Sequence, residues 1–149
     1  MKVLPIFTSI LFFFLSFAGH GELALKPFDA QPISLASLQG KWVFINYWAS
    51  WCEPCLQEIP ELNKFYEQHQ SKDIALYAVN YDAVSTAIQR QLTEQYGIQY
   101  PALEQDPAQS LALGDIRGVP VTFVFNPQGT LVQTLYGGQT VSGLSKLML

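Results

Sequence analysis

The sequence predicts one α/β domain, a three-layer α/β/α sandwich around a mixed central sheet, on three observations. Two nearly continuous apolar runs rich in β-branched and aromatic residues, 42–47 and 74–79, are each followed by a stretch of helical periodicity. Strands that alternate with helices pair in parallel and are buried on both faces. A second pair of apolar runs, 121–125 and 130–136, flanks Asn126-Pro127-Gln128-Gly129. That tetrapeptide is a strong turn signal and adds an antiparallel hairpin to the sheet. Between the first strand and the first long helix lies Cys52-Glu53-Pro54-Cys55, which places two thiols at a helix N-terminus.

The chain opens with Lys2 followed by the apolar run Val3–Phe17, then Ser16-Phe17-Ala18 with small residues where a signal peptidase reads. Residues 1–18 are expected to be a secretory signal peptide, with an uncleaved membrane anchor as the competing reading. The run is a little shorter than the ~20 residues a spanning helix wants, and Pro5 shortens it further. Residues 19–27 read as an extended lead-in, and residues 28–149 as the folded domain. Leu35–Leu38 is expected to form a short turn ended by Gly40. A helix is predicted from Glu53 to about Gln70, because Leu56, Ile59, Leu62, Phe65, Tyr66 and His69 recur at steps of three and four. Pro54 suits its first turn, and Pro60 is expected to kink it. A second helix is predicted over Val84–Tyr96, closed by Gly97, and a short third over Pro107–Leu113. A last helix starts near Ser142.

With 149 residues the chain holds one compact domain. Apolar residues make up 49% of it and charged residues 13%, a globular balance. Formal net charge is −4, and removal of residues 1–18 takes away only Lys2. An acidic chain without a basic cluster gives no support for nucleic-acid or anionic-membrane binding. Two cysteines in one short motif are too close to staple a fold, so their purpose reads as chemical.

The chemistry follows from placement. A free thiol titrates near ~8.5, and the N–H groups and positive dipole end of a helix favour its thiolate. Cys52 sits at that end. Two intervening residues let the sulfurs meet across one turn. One thiolate attacks a substrate disulfide, and the other resolves the mixed disulfide. Cys52 is expected to be the more exposed of the two, with Pro54 stiffening the turn and Glu53 mildly opposing the thiolate. A haem attachment needs His after the second Cys, where Leu56 stands, and a zinc site needs about four ligands. No cofactor or metal is therefore expected. Glu58 lies one helical turn beyond Cys55. Half-buried, its carboxyl group could relay protons to the thiols, although spacing alone favours an exposed carboxylate. Asn46, on the first strand, can only hydrogen-bond.

Trp48-Ala49-Ser50-Trp51-Cys52-Glu53-Pro54-Cys55, Pro60, and Gly118-Val119-Pro120-Val121-Thr122 with the strand and turn beyond it together resemble thioredoxin-fold proteins. Ile33-Ser34-Leu35, Gly40-Lys41 and the export signal narrow the resemblance to the TlpA/ResA-like branch, extracytoplasmic disulfide reductases of which several serve cytochrome c maturation. The resemblance covers about residues 28–147. It implies that Cys52 attacks and Cys55 resolves, that Pro120 is cis and faces the disulfide, and that Trp51, Val119 and Pro120 meet the substrate. Val119 would offer its backbone to an extended segment. Glu58 matches the branch's E-P-C-x-x-E pattern, which favours a functional carboxyl group over the exposed one. The implied partners are exported proteins with disulfides and a membrane or periplasmic thiol donor, and a monomer is expected. The implied location is periplasmic or otherwise extracytoplasmic. A net oxidant and a thiol-based copper-binding assembly factor are the rival readings; no separate peroxidatic Cys supports a peroxidase.

Overall fold

The computed structural model describes residues 24–70 and 73–149, so the expected signal or anchor, with His20, lies outside the described residues. A short hairpin, β1 (Ala24–Leu25) and β2 (Ile33–Ser34), leads into a 3₁₀ turn at Leu35–Leu38. Then come β3 (Trp42–Trp48), α1 (Glu53–His69), β4 (Ile74–Asn80), α2 (Thr86–Gln95), β5 (Val121–Phe125), β6 (Leu131–Tyr136) and α3 (Val141–Lys146). The main sheet has the order β4-β3-β5-β6. β3 pairs in parallel with β4 and antiparallel with β5, and β6 closes the expected hairpin as an edge.

β3 divides the interior by its two-residue period. Phe44 and Trp48 join Ile59, Leu62 and Phe65 of α1 and Leu144 of α3 in one core cluster. Val43, Ile45 and Tyr47 point the other way, into a second cluster with Leu25, Leu38, Leu113 and Phe123. Each fully buried side chain of this size contributes about 1.5–3 kcal/mol, so the central strand is anchored from both sides. α1 runs unbroken through Pro60, which lies on its exposed face. Asn126 holds the hairpin turn: its side-chain oxygen accepts from the N–H groups of Gln128 and Thr130. Gly129 supplies the positive φ of 78° that the reversal needs.

Three expectations change. Residues 107–113 form turns, not a helix. Asp106 accepts the N–H of Ala108, and a single helical bond joins Leu111 to Pro107. Leu113 then reaches back five residues to Ala108, with Ala112 at a φ of 51°. Burying Leu113 in the second cluster outweighs the helical pattern there. The second face of the sheet is therefore covered by the β1–β2 hairpin, the 3₁₀ turn and these turns. The second helix begins at Thr86 rather than Val84, because the N–H of Val84 is turned back to the carbonyl of Asp82. The lead-in is not merely extended: Leu25 is buried, and Phe28 bonds to Ala102, tying residues 24–28 to the domain.

Candidate active site

Cys52 is the N-cap of α1, with extended backbone at φ −95° and ψ 97°. Its Sγ accepts the N–H of Cys55 at 3.3 Å, and its carbonyl starts the helix by accepting from Leu56. Cys52 and Cys55 are joined as a disulfide with their Cα atoms 5.2 Å apart. Cys52 retains 4% exposure and Cys55 none, the expected order with a small difference. The N–H that caps Cys52 is the group a thiolate needs, and it lies at the positive end of a 17-residue helix. Glu53 and Pro54 fill the first two helical positions and face solvent; Glu53 bonds to Gln57. Trp51 stands out at 67% exposure beside the pair.

Glu58 is buried on the same helix face as Cys55, so spacing alone misleads here. Its Oε1 accepts from Asn46 Nδ2 at 2.7 Å, and its Oε2 from the backbone N–H of Gln139 at 2.8 Å. Burial pushes the Glu58 carboxyl from 4.5 up to about 7, against the downward pull of those two hydrogen bonds. The Asn46 amide also donates to Thr122 Oγ1, its neighbour in the β3–β5 register. The hydroxyl of Tyr100, fully buried, points at Asn46 Oδ1 from 3.4 Å. Asn46, itself held by Thr122, and Gln139 thus cradle a carboxyl group that burial pushes up to about 7.

The Val119–Pro120 peptide bond is cis. Pro120 is buried, and its carbonyl accepts the N–H of Gly137 at 2.9 Å. Residues 137–139 therefore tie the Pro120 loop to Glu58, and Gly138 lies against Pro54 and Glu58. Val119 is half-buried, packs against both core clusters, and has no backbone hydrogen-bond partner among the described residues. Thr122, Tyr100 and Gln139 were not legible as site residues. The one available signal was a polar residue inside each of two apolar strands, Asn46 in β3 and Thr122 in β5. Among the described residues, no three His, Cys, Asp or Glu side chains gather to hold a metal ion.

The AhpC/TSA family matches residues 21–134. The chain is 32% identical over 127 residues to thiol-disulfide oxidoreductase ResA of Bacillus subtilis, covering 85% of this chain and 70% of that protein. It is 30% identical over 137 residues to thiol-disulfide oxidoreductase ResA of Halalkalibacterium halodurans, covering 89% and 77%. Among solved structures, a thioredoxin-family thiol:disulfide interchange protein from Chlorobium tepidum matches with a TM-score of 0.68 at 25% identity, over 85% of this chain and 90% of that one.

Proposed function

This chain belongs to the AhpC/TSA family and is a thiol–disulfide oxidoreductase of ResA type, and on that footing we propose that it is an extracytoplasmic reductant of disulfides in exported proteins. The observation that carries the reading of the site is Glu58, buried one turn beyond Cys55 with its carboxyl group pushed up to about 7, and the direction rests on the TlpA/ResA-like Cys52-Glu53-Pro54-Cys55 pattern followed by Glu58.

In the reduced protein, the Cys52 thiolate attacks one sulfur of a substrate disulfide. That S–S bond breaks, a mixed disulfide forms, and the first substrate sulfur leaves as a thiolate that takes a proton from water. The Cys55 thiol gives its proton to the Glu58 carboxylate and attacks Cys52 Sγ. The mixed disulfide breaks, the Cys52–Cys55 disulfide forms, and the second substrate sulfur leaves as a thiolate that takes a proton from water. Two electrons have passed to the substrate, and a donor dithiol must return two to the protein. A group titrating near neutral pH serves this cycle, because it accepts the Cys55 proton and releases it again without a large penalty. Substrate enters as an extended segment beside Val119, whose open backbone groups support pairing by strand addition. Trp51, exposed beside Cys52 in the chain, is available to the same substrate. Pro54 and Glu53 tune the pair.

The export reading rests on residues 1–18, and the TlpA/ResA-like pattern supports cytochrome c maturation as the process served. Thiol trapping in cells tests the direction. A reductant is held mostly as the Cys52–Cys55 dithiol while its membrane thiol donor is intact, and becomes oxidised when that donor is removed. A pair found oxidised under both conditions would overturn the reading in favour of a disulfide-forming oxidant.

A further inference from the structure

Asn80, the last residue of β4, and Tyr81 and Asp82 just after it reach both walls of the active site. The Tyr81 N–H donates to the carbonyl of Trp48 at 2.8 Å. The Asp82 carboxylate accepts the Ser50 N–H on Oδ2 at 2.9 Å and the Ser50 hydroxyl on Oδ1 at 2.7 Å. Asn80 steadies that carboxylate, donating to its Oδ2 and accepting the Asp82 N–H. From the same segment the Tyr81 hydroxyl donates to the carbonyl of Ile116 at 3.0 Å. Ser50 stands two residues before Cys52, and Ile116 three before Val119. One tripeptide therefore braces the loop that carries the attacking thiol and the loop that carries the open backbone edge.

The ends of the loop, Ala49 and Cys52, are packed in the first core cluster, which leaves Ser50 and Trp51 between them to be held by other bonds. Trp51 is mostly exposed, and the loop's own backbone bond is Cys52 to Ala49 at 3.2 Å. Bonds to an ionised acceptor are the strong ones, so the Ser50–Asp82 pair dominates. A substrate that pairs its backbone with Val119 must also present a sulfur in line with Cys52 Sγ. A misplacement of about 1 Å between two such groups is expensive. A small disulfide touches Cys52 alone and is indifferent to the spacing.

We propose that Asp82 and Tyr81 are positioning residues that set the distance between Cys52 and the Val119 edge, and so favour disulfides carried on extended chains over small free disulfides. The inference rests on the proposed pairing of substrate with Val119. It is tested in a Cys55→Ser background by the rate of mixed-disulfide formation. One probe is an extended peptide carrying a cysteine disulfide-linked to an aromatic thiol, and the other is the symmetrical small disulfide of that thiol. Asp82→Ala lowers the peptide rate about tenfold, the loss expected for a hydrogen bond to a charged group. It leaves the small-disulfide rate within about twofold and its pH profile unmoved. Asp82→Asn, which keeps an acceptor for the Ser50 N–H, recovers part of the peptide rate. Tyr81→Phe removes only the bond to Ile116 and lowers the peptide rate about threefold; with its ring exposed, it decides the matter if Asp82→Ala fails to fold. Parallel losses with both probes, no loss with either, or a displaced pH profile would overturn the inference. A Cys55→Ser parent inert to both probes would sink the reductase reading, and this inference with it.

Discussion

Glu58→Gln should change how stability depends on pH, and the structure gives the size of the change. Burial raises the Glu58 carboxyl to about 7 in the folded protein, against 4.5 for an unburied group. The folded state thus holds this proton more tightly than the unfolded chain. Its contribution is fully present below pH 4.5 and is lost as pH rises through 7. A displacement of about 2.5 pH units at 1.36 kcal/mol each is about 3 kcal/mol. Gln keeps an acceptor for Asn46 but turns an amide donor toward the Gln139 N–H, losing one hydrogen bond and about 1 kcal/mol. Above pH 7.5 the variant should therefore be the more stable protein by about 2 kcal/mol, an advantage that turns into a deficit of about 1 kcal/mol by pH 4.5. Urea unfolding of the oxidised protein at a series of pH values measures this, since disulfide-bonded cysteines do not titrate. Other carboxylates titrate alike in both proteins and drop out of the difference. Wild-type and variant stabilities running parallel from pH 4.5 to 8 would refute the reasoning.

Further outcomes follow from single contacts. Asn46→Leu withdraws a hydrogen bond that favours the carboxylate, so the Glu58 side-chain carbon should titrate at higher pH by NMR than in wild type. Leu25→Ala empties a buried position outside the expected domain boundary; urea unfolding should show a loss of about 2–5 kcal/mol, whereas an ornamental lead-in would show none. Thr140 caps α3 by accepting the N–H of Gly143 at 3.1 Å, so Thr140→Ala should cost about 1 kcal/mol by the same assay.

Legibility followed local physics. β3, β4, β5 and α1 were readable because their apolar periods are nearly uninterrupted, and burial on both faces leaves no competing reading. The cysteine pair was readable because strand, motif and helix start are contiguous. The 107–113 segment misled: its apolar spacing suits a helix, yet the bonds to Asp106 and the burial of Leu113 decide its path. The surroundings of Glu58 were out of reach for a different reason. Asn46, Thr122 and Gln139 come from three separate elements, and only β3–β5 pairing and the fold of 137–139 over α1 bring them together. The bracing role of Asn80–Asp82 has the same origin, since its partners lie 32 and 35 residues away.

If Cys52 attacks and Cys55 resolves, the two single-cysteine variants must differ in which sulfur traps substrate. Purified Cys52→Ser and Cys55→Ser proteins are mixed with a protein disulfide, and adducts are located by mass spectrometry. The account predicts a persistent mixed disulfide through Cys52 in Cys55→Ser, and little or none through the fully buried Cys55 in Cys52→Ser. Adducts forming as fast through Cys55 as through Cys52 would contradict it.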